Sequence, residues 1–406
     1  MSNAGLRILA IAESFFGDHR NGLARVAWDV ARALSARGHE VHLLCPAAGP
    51  VAPETTIVEG VAVTRYPRPR VSAFDPRNPW VHVAGYVEAI RGLSGQGPWD
   101  IVHCHGIYGM NAAADVFGTR IPKLLTVHSP AVLEQAWNWT HGNAFELAKL
   151  IGLPLIRRFE RRAVEVSTLC HSLSAYTRES MARLYREAEE KPWRVIPHWI
   201  DAGWWRRVSP AEARRLLGWP QETRIVLTVR QLKPRYGIDV AIRGLAAPLE
   251  RCGGEFRIVG DGPQRGSLEA LAAATGGRDH FIFEGAVSEA RLRLAYQAAD
   301  AFVIPSRALE CFGLIALEAM AVGLPTVATM VGALPEILGP VTPELLVRPG
   351  DAVELGAAVS GVLEAAGSSP AAHSAALLVS HAKSRYAESD GVSMYERLFR
   401  DAIISN

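Results

Sequence analysis

Cysteine is scarce and scattered. The 406 residues hold five, Cys45, Cys104, Cys170, Cys252 and Cys311, with no C-x-x-C pair among them. An odd, widely spaced set argues against a disulfide framework or a structural zinc site and fits a reducing, cytoplasmic setting. Lysine is equally rare: only five of the 43 basic residues are Lys. Such a bias reflects genome base composition more readily than a binding surface. With 41 acidic residues against those 43, no electrostatic footprint for nucleic acid stands out. Long apolar runs are also lacking. A long uncharged stretch rich in apolar residues, Ala319 to Pro335, is interrupted by Gly323, Pro325, Gly332 and Pro335 and makes a poor membrane span. Arg7 breaks the first apolar run, so no signal peptide is expected, and the opening Ser2-Asn3-Ala4 carries no weight.

What is present is globular. The chain is 49% hydrophobic and 21% charged, and its length suggests two domains of roughly 200 residues each. Leu6 to Ala12 reads as a buried strand, and the polar loop Glu13 to Gly22 follows. Leu23, Val26, Val30 and Leu34 then repeat at the spacing of one helical face. Gly38 supplies the C-cap and Glu40 to Cys45 the next strand, a βαβ unit that implies a parallel sheet. Further strands are expected at Ile101 to His103, Lys123 to Val127, Thr168 to Leu173 and Arg194 to Ile196. The pattern pauses over Asp201 to Ser209. A second βα series follows at Arg224 to Val229, Phe256 to Val259, Phe281 to Phe283, Ala301 to Ile304 and Thr326 to Ala328. The expectation is two doubly wound α/β domains, 1–203 and 204–385, with ligands at the carboxyl ends of their strands and one deep cleft where the two sheets face. A closing helical stretch, 386–406, repeats Val392, Tyr395, Leu398 and Phe399 at helical spacing.

The most informative segment is Pro305 to Glu318, P-S-R-A-L-E-C-F-G-L-I-A-L-E. A helix starting near Phe312 or Gly313 would present the N–H groups of Phe312 to Ile315, an end suited to phosphate or polarised hydroxyls. Glu310 would precede that helix and Glu318 lie within it, about 12 Å apart were the whole segment helical. Carboxylates grip vicinal diols because each oxygen pair accepts several hydrogen bonds. Taken alone, the pair could equally be two solvated glutamates.

His105 and His128 both follow apolar strands, where a lone His is more often structural. Trp137 and Trp139 sit in A-V-L-E-Q-A-W-N-W-T-H-G-N-A-F, which lacks a clean period; they offer either a platform for an acceptor or packing for a loop. Arg157, Arg158, Arg161 and Arg162 read as a solvated helix face more readily than as a contact for anionic lipid.

The segment resembles the retaining glycosyltransferases of family four, whose hallmark is E-x7-E inside E-G-F-G-L-x-x-x-E-A-M-A. Glu310, Phe312, Gly313, Leu314, Glu318, Ala319, Met320 and Ala321 match, and Cys311 stands where Gly is common. V-G-D-G-P at Val259 to Pro263, F-E-G-A-V at Phe283 to Val287, Y-Q-A-A-D at Tyr296 to Asp300, P-S at Pro305 and Ser306, and G-A-L-P-E-I at Gly332 to Ile337 extend the resemblance over about 110 residues in the right order.

The resemblance implies the GT-B fold, with the 386–406 helix crossing back to the first domain, and transfer of a sugar from a nucleotide diphosphate sugar with retention of configuration. Glu310 would hold hydroxyls of the transferred sugar and Glu318 the ribose. The segment Cys311, Phe312, Gly313, Leu314 and Ile315 would meet the sugar and diphosphate, and the main chain at Ala286 and Val287 the base. His128 matches the family histidine that approaches the donor sugar, and His105 is the lesser candidate beside an acceptor. The family's basic pair maps onto V-R-Q-L-K-P-R-Y-G: Arg230 fits the first position, but Tyr236 occupies the usual Lys, so Arg235, with Lys233 as alternate, would supply the second charge. The family's first-domain G-G becomes Asn21-Gly22; Gly22 keeps the close approach to phosphate, and Asn21 tolerates positive φ better than most residues. In V-I-P-H-W-I-D, His198 and Trp199 replace the usual Asn and Gly, so a changed interdomain surface must accommodate Trp199.

No D-x-D motif appears where this chemistry would need one, so no essential metal or cofactor is expected and Arg230, Arg235 and helix amides would take the leaving charge. The acceptor, a small polyol, glycan, lipid or natural-product aglycone, stays open, as does the oligomeric state; membrane-surface contact is not indicated. The rival readings are a GT-B sugar phosphorylase, a nucleotide-sugar epimerase and a non-catalytic nucleotide-sugar-binding protein.

Overall fold

A computed structural model describes residues 5–18, 21–49, 53–72, 75, 77–93, 95, 97–142, 144–205 and 208–405. Ser2-Asn3-Ala4, residues 19–20 of the polar loop Glu13 to Gly22, residue 143 of the tryptophan-bearing segment and residues 206–207 of the pause over Asp201 to Ser209 lie outside the described residues. The chain divides into two compact units, Met1–His198 with Ser389–Asn406, and Trp199–Glu388.

The first unit is built on β1 (Arg7–Ile11), β2 (Glu40–Pro46), β3 (Glu54–Val58), β4 (Val61–Tyr66), β5 (Ile101–Cys104), β6 (Lys123–Val127), β7 (Leu169–Ser172) and β8 (Trp193–Val195). They form one sheet in the order β3-β4-β2-β1-β5-β6-β7-β8. Ile8 to Ile11, Ile101 to Cys104 and Lys123 to Val127 are buried along their whole length, as strands covered by helices on both faces must be. The helix Gly22–Ala36 turns Val26, Val30 and Leu34 inward, and Gly38, at φ +89°, ends it.

The expectation of a purely parallel sheet needs one correction. β3 runs antiparallel to β4, and β4 then pairs parallel with β2. Glu59 and Gly60, both at positive φ (46° and 83°), make the two-residue turn between β3 and β4. The E-G dipeptide is a weaker hairpin signal than N-G or D-G. The helix Glu388–Ile404 buries Val392, Tyr395, Leu398 and Phe399, with Tyr395 and Phe399 against His103 on β5. Each such side chain contributes about 1.5–3 kcal/mol when fully buried. Cys45, Cys104 and Cys170 are unpaired core residues of this unit.

The second unit carries β9 (Ile225–Val229), β10 (Glu255–Val259), β11 (Phe281–Gly285), β12 (Ala301–Ile304), β13 (Thr326–Thr329) and β14 (Leu346–Val347), all parallel, in the order β11-β10-β9-β12-β13-β14. The two-residue β14 escapes sequence reading because it is too short to show a period. Val226, Phe256, Ile258, Val303 and Val327 centre its core. Strand order reverses beside β9: the chain steps outward to β10 and β11, then returns to β12 on the other side. The crevice such a reversal leaves at the carboxyl ends of β9 and β12 is where open α/β sheets take their ligands.

Candidate active site

Arg230 leaves the carboxyl end of β9, and the loop Pro305 to Gly313 leaves that of β12 beside it. The Arg230 guanidinium donates to the Glu310 carboxylate, and its Nη2 lies 2.5 Å from Ser306 Oγ. Ser306 Oγ donates in turn to Glu310 Oε2 at 3.0 Å. The ion pair is nearly dry, with side chains 7% and 9% exposed. Arg230 Nε is buried and finds no acceptor among the described residues. Ser306 belongs to the P-S pair, and Thr329 Oγ1 pins its carbonyl at 2.6 Å.

Backbone geometry explains the surrounding motifs. A Cβ on Gly332 would stand 2.1 Å from the Glu310 carbonyl, which already accepts the Ala333 N–H at 2.7 Å. A Cβ on Gly260 would stand 1.8 Å from the Arg230 carbonyl. G-A-L-P-E-I and V-G-D-G-P thus supply the backbones that clamp the acid and the base from either side. Leu309, immediately before Glu310, holds φ +55°, a conformation costing about 1–3 kcal/mol in a non-glycine residue.

The helix that follows is Leu314–Val322, with Gly313 at its N-cap. Only Glu318 of the acid pair is therefore helical; Glu310 sits in the loop, and the separation worked from a continuous helix does not apply. Among the described residues, the N–H groups of Phe312, Gly313, Leu314 and Ile315 meet no protein acceptor. An open helix start carries partial positive charge and bare donors together. Glu318 Oε2 accepts from Tyr296 of the Y-Q-A-A-D motif at 2.8 Å. Cys311 is buried, its thiol donating to the Leu309 carbonyl at 3.8 Å, so its side chain serves the loop. Phe312 is buried against Tyr386. Lys233 stands immediately before the short turn Pro234–Tyr236, whose Arg235 is buried. Val287 lies half-buried between β11 and Ser288, the N-cap of the helix Glu289–Ala298.

In the first unit, His105 and His128 follow β5 and β6 and meet directly, Nδ1 of the first 3.0 Å from Nε2 of the second. Behind them, His103 Nε2, Thr126 Oγ1 and His171 Nδ1 form a buried chain at 2.7 and 3.0 Å that ends where His171 Nε2 donates to the Ile196 carbonyl at 3.0 Å. Burial first, then neighbouring histidines, holds His103 and His105 well below the usual range. His128 keeps a partly exposed edge, yet its removal from water and the nearness of His171 and His198 push it down to about 3. These rings work as neutral hydrogen-bonding groups. His103 and His171 were not singled out from sequence, although His103 shares a strand face with His105.

Backbone geometry decides between readings left open at two places in the first unit. Asn21 does not adopt positive φ: at φ −138° it is extended, and its side chain caps the helix by accepting the Ala24 N–H at 2.9 Å. Gly22 opens that helix. Trp137 and Trp139 lie in the helix Ala131–Thr140, so two residues of separation point them about 200° apart and no shared platform forms. Trp137 instead stacks on His141 at 3.9 Å. The helix is anchored by Glu160, whose carboxylate accepts the N–H groups of Ala131 and Val132 and the Tyr185 hydroxyl. Of the four arginines on the helix Leu153–Val166, Arg161 pairs with Glu165 and Glu187, and Arg162 with Asp115. His198 is buried and bonded to Asp29 at 3.1 Å, and Trp199 is buried.

Residues 20–204 match the family described as Glycosyltransferase Family 4, and residues 210–375 match that described as Glycosyl transferases group 1. The chain belongs to glycosyltransferase family four. This glycosyltransferase is 29% identical to the D-inositol 3-phosphate glycosyltransferase of Acidothermus cellulolyticus over 84% of its own length and 78% of the relative's. In three dimensions it is similar to the sucrose-phosphate synthase of Thermosynechococcus elongatus, with a TM-score of 0.82 at 22% identity over 98% of this chain and 100% of that one. Anabaena HepE, solved in complex with UDP-glucose, gives 0.74 at 18% identity over 98% and 100%. Its two α/β units are those of the GT-B fold.

Proposed function

We propose that this glycosyltransferase moves a sugar from a nucleotide diphosphate sugar to an acceptor hydroxyl with retention of configuration and without a metal. The observation that carries the reading is the buried Arg230–Ser306–Glu310 cluster beside the N–H groups of Phe312 to Ile315, which meet no acceptor among the described residues. A carboxylate able to hold sugar hydroxyls and a set of fixed positive groups able to hold a diphosphate stand together at the carboxyl ends of β9 and β12. Glu318, fixed by Tyr296, holds the ribose, and the chain at Val287 meets the base. Arg230 and Arg235, with Lys233 nearby, face charge that grows on the leaving diphosphate, which is where fixed dipoles and cations lower a barrier. Cys311 contributes through its backbone. Neutral His128, supported by His105, donates or accepts a hydrogen bond at the donor sugar. In this reading Gly22 approaches the donor phosphates, the acceptor is held on the first unit near Asn21, His105, Trp137 and Trp139, and the departing phosphate oxygen takes the acceptor proton in front-face attack.

The test measures nucleotide release from UDP-, GDP- and ADP-sugars with a panel of acceptors, in chelator, with product stereochemistry read by NMR. Nucleotide diphosphate release with a retained anomer is expected. An inverted product refutes the front-face step, and sugar phosphate formed from inorganic phosphate and a glycoside refutes the transferase reading.

A further inference from the structure

The turn after β9 contains a contact that the roles given to its arginines do not use. Both guanidiniums lie over the ring of Tyr236: Arg230 Cζ is 4.4 Å and Arg235 Cζ 4.6 Å from its centroid. Arg235 Nη2 also donates to the Tyr236 hydroxyl at 2.6 Å. The two cations belong to residues largely withdrawn from water, Arg230 with 7% of its side chain exposed and Arg235 with 8% of the residue exposed. The turn is itself fixed. Gly237 holds φ +65°, and the Arg235 carbonyl accepts the Arg307 N–H at 2.8 Å, tying the turn to the loop that carries Glu310.

Two like charges on one short turn repel, and in a poorly hydrated site water screens them little. An aromatic face attracts both without adding charge, and the attraction grows as water is excluded. The hydroxyl adds direction, because a guanidinium donating to it cannot rotate its fork freely. Lysine at this position would add a third positive charge; tyrosine supplies a surface on which two can rest.

We infer that Tyr236 is a positioning residue, its ring holding Arg230 and Arg235 as a preorganised pair of cations for the diphosphate of the donor. The inference rests on the proposed sugar transfer. Fixed cations cost no reorganisation when charge develops, so loss of the ring lowers kcat more than it raises KM.

The experiment titrates UDP, GDP and ADP into the full chain by calorimetry, then follows the one that binds through Tyr236→Phe, Tyr236→Leu, Tyr236→Gln, Arg235→Ala and the double variant Arg235→Ala/Tyr236→Leu. Thermal unfolding identifies which of the two non-aromatic variants is folded and usable. Tyr236→Phe keeps the ring and stays within about threefold of the parent, the size of one modest hydrogen bond. The non-aromatic variant and Arg235→Ala each weaken binding about tenfold, with the larger change in kcat, and the double variant is no worse than either single one, because both remove the same arrangement. Additive losses, or a folded non-aromatic variant within about twofold of the parent, overturn the inference while leaving the transferase reading in place. A parent chain that binds none of the three nucleotides overturns both.

Discussion

Replacing Glu310 with alanine removes a sugar ligand in the proposed mechanism, but it also strands Arg230. The guanidinium would keep its place over the Tyr236 ring and beside Ser306 while losing its counter-charge, with its side chain only 7% exposed. Breaking a buried pair from one side costs about 3–5 kcal/mol, because the remaining charge stays desolvated. For a unit of the size of Trp199–Glu388, each kcal/mol moves the midpoint by about 2–4 °C, so Glu310→Ala should lower the unfolding temperature of that unit by about 6–20 °C. The isosteric Glu310→Gln keeps the volume and one acceptor and should lose less. Arg230→Met/Glu310→Leu removes both charges and should recover most of the stability while abolishing activity. Scanning calorimetry of the parent, the singles and the double closes the cycle. A Glu310→Ala midpoint within about 1 °C of the parent would refute the claim that this pair is a buried structural element as well as a ligand-binding one. Activity measured on Glu310→Ala without this control would confuse lost chemistry with lost fold.

Gly332→Ala forces a Cβ to within 2.1 Å of the Glu310 carbonyl at a φ of +62°. It should destabilise by more than about 1 kcal/mol and cut kcat/KM at least tenfold, which denaturant melts and steady-state kinetics measure together. Tyr296→Phe removes the hydroxyl that fixes Glu318 and should weaken nucleotide binding about fivefold, the equivalent of one hydrogen bond near 1 kcal/mol, with little change in kcat. The pH response follows from the histidines. Burial depresses His103, His105, His128 and His171 below the usual value of about 6.5. Below that value the unfolded chain takes up protons that the folded one refuses, so stability is full above pH 6.5 or so and falls as the pH drops. Each ring contributes up to about 1.4 kcal/mol per pH unit. Urea melts of the parent and of His171→Gln from pH 7.5 to 5 should show a shallower slope in the variant; equal slopes would refute the assignment.

The second unit was more legible than the first. Its strands are short apolar runs set off by turns, and its site grows from the ends of β9 and β12, so motif order and strand order agree. β3 and β4 were missed because Thr55, Thr56 and Thr64 make their run look like a polar loop, and their pairing depends on a turn without the usual residues. The Trp137 segment stayed open between an acceptor platform and loop packing because its helix is anchored from outside, by Glu160 on another helix, which no local period reports.

The same limit separates what the E-x7-E pattern shows from what it means. Spacing places Glu310 and Glu318 eight residues apart but says nothing of Arg230, 80 residues upstream, or of Gly332, whose missing Cβ lets the acid's backbone close. A solvated pair of glutamates and this site would share the pattern. What distinguishes them is that Glu310 is nearly dry and held by a cation from the neighbouring strand. Burying a carboxylate costs several kcal/mol without a partner, so the cost at Glu310 is met by Arg230 and Ser306 before any ligand arrives. Donor binding must then compete for a guanidinium already engaged with Glu310. Under the proposed function, affinity for a nucleotide diphosphate should rise when Glu310 is neutralised as Gln, even as turnover falls, because the phosphates no longer share Arg230 with a carboxylate. A calorimetric titration showing equal or weaker binding by Glu310→Gln would mean that the ion pair survives ligand entry and that the diphosphate is held chiefly by the helix amides.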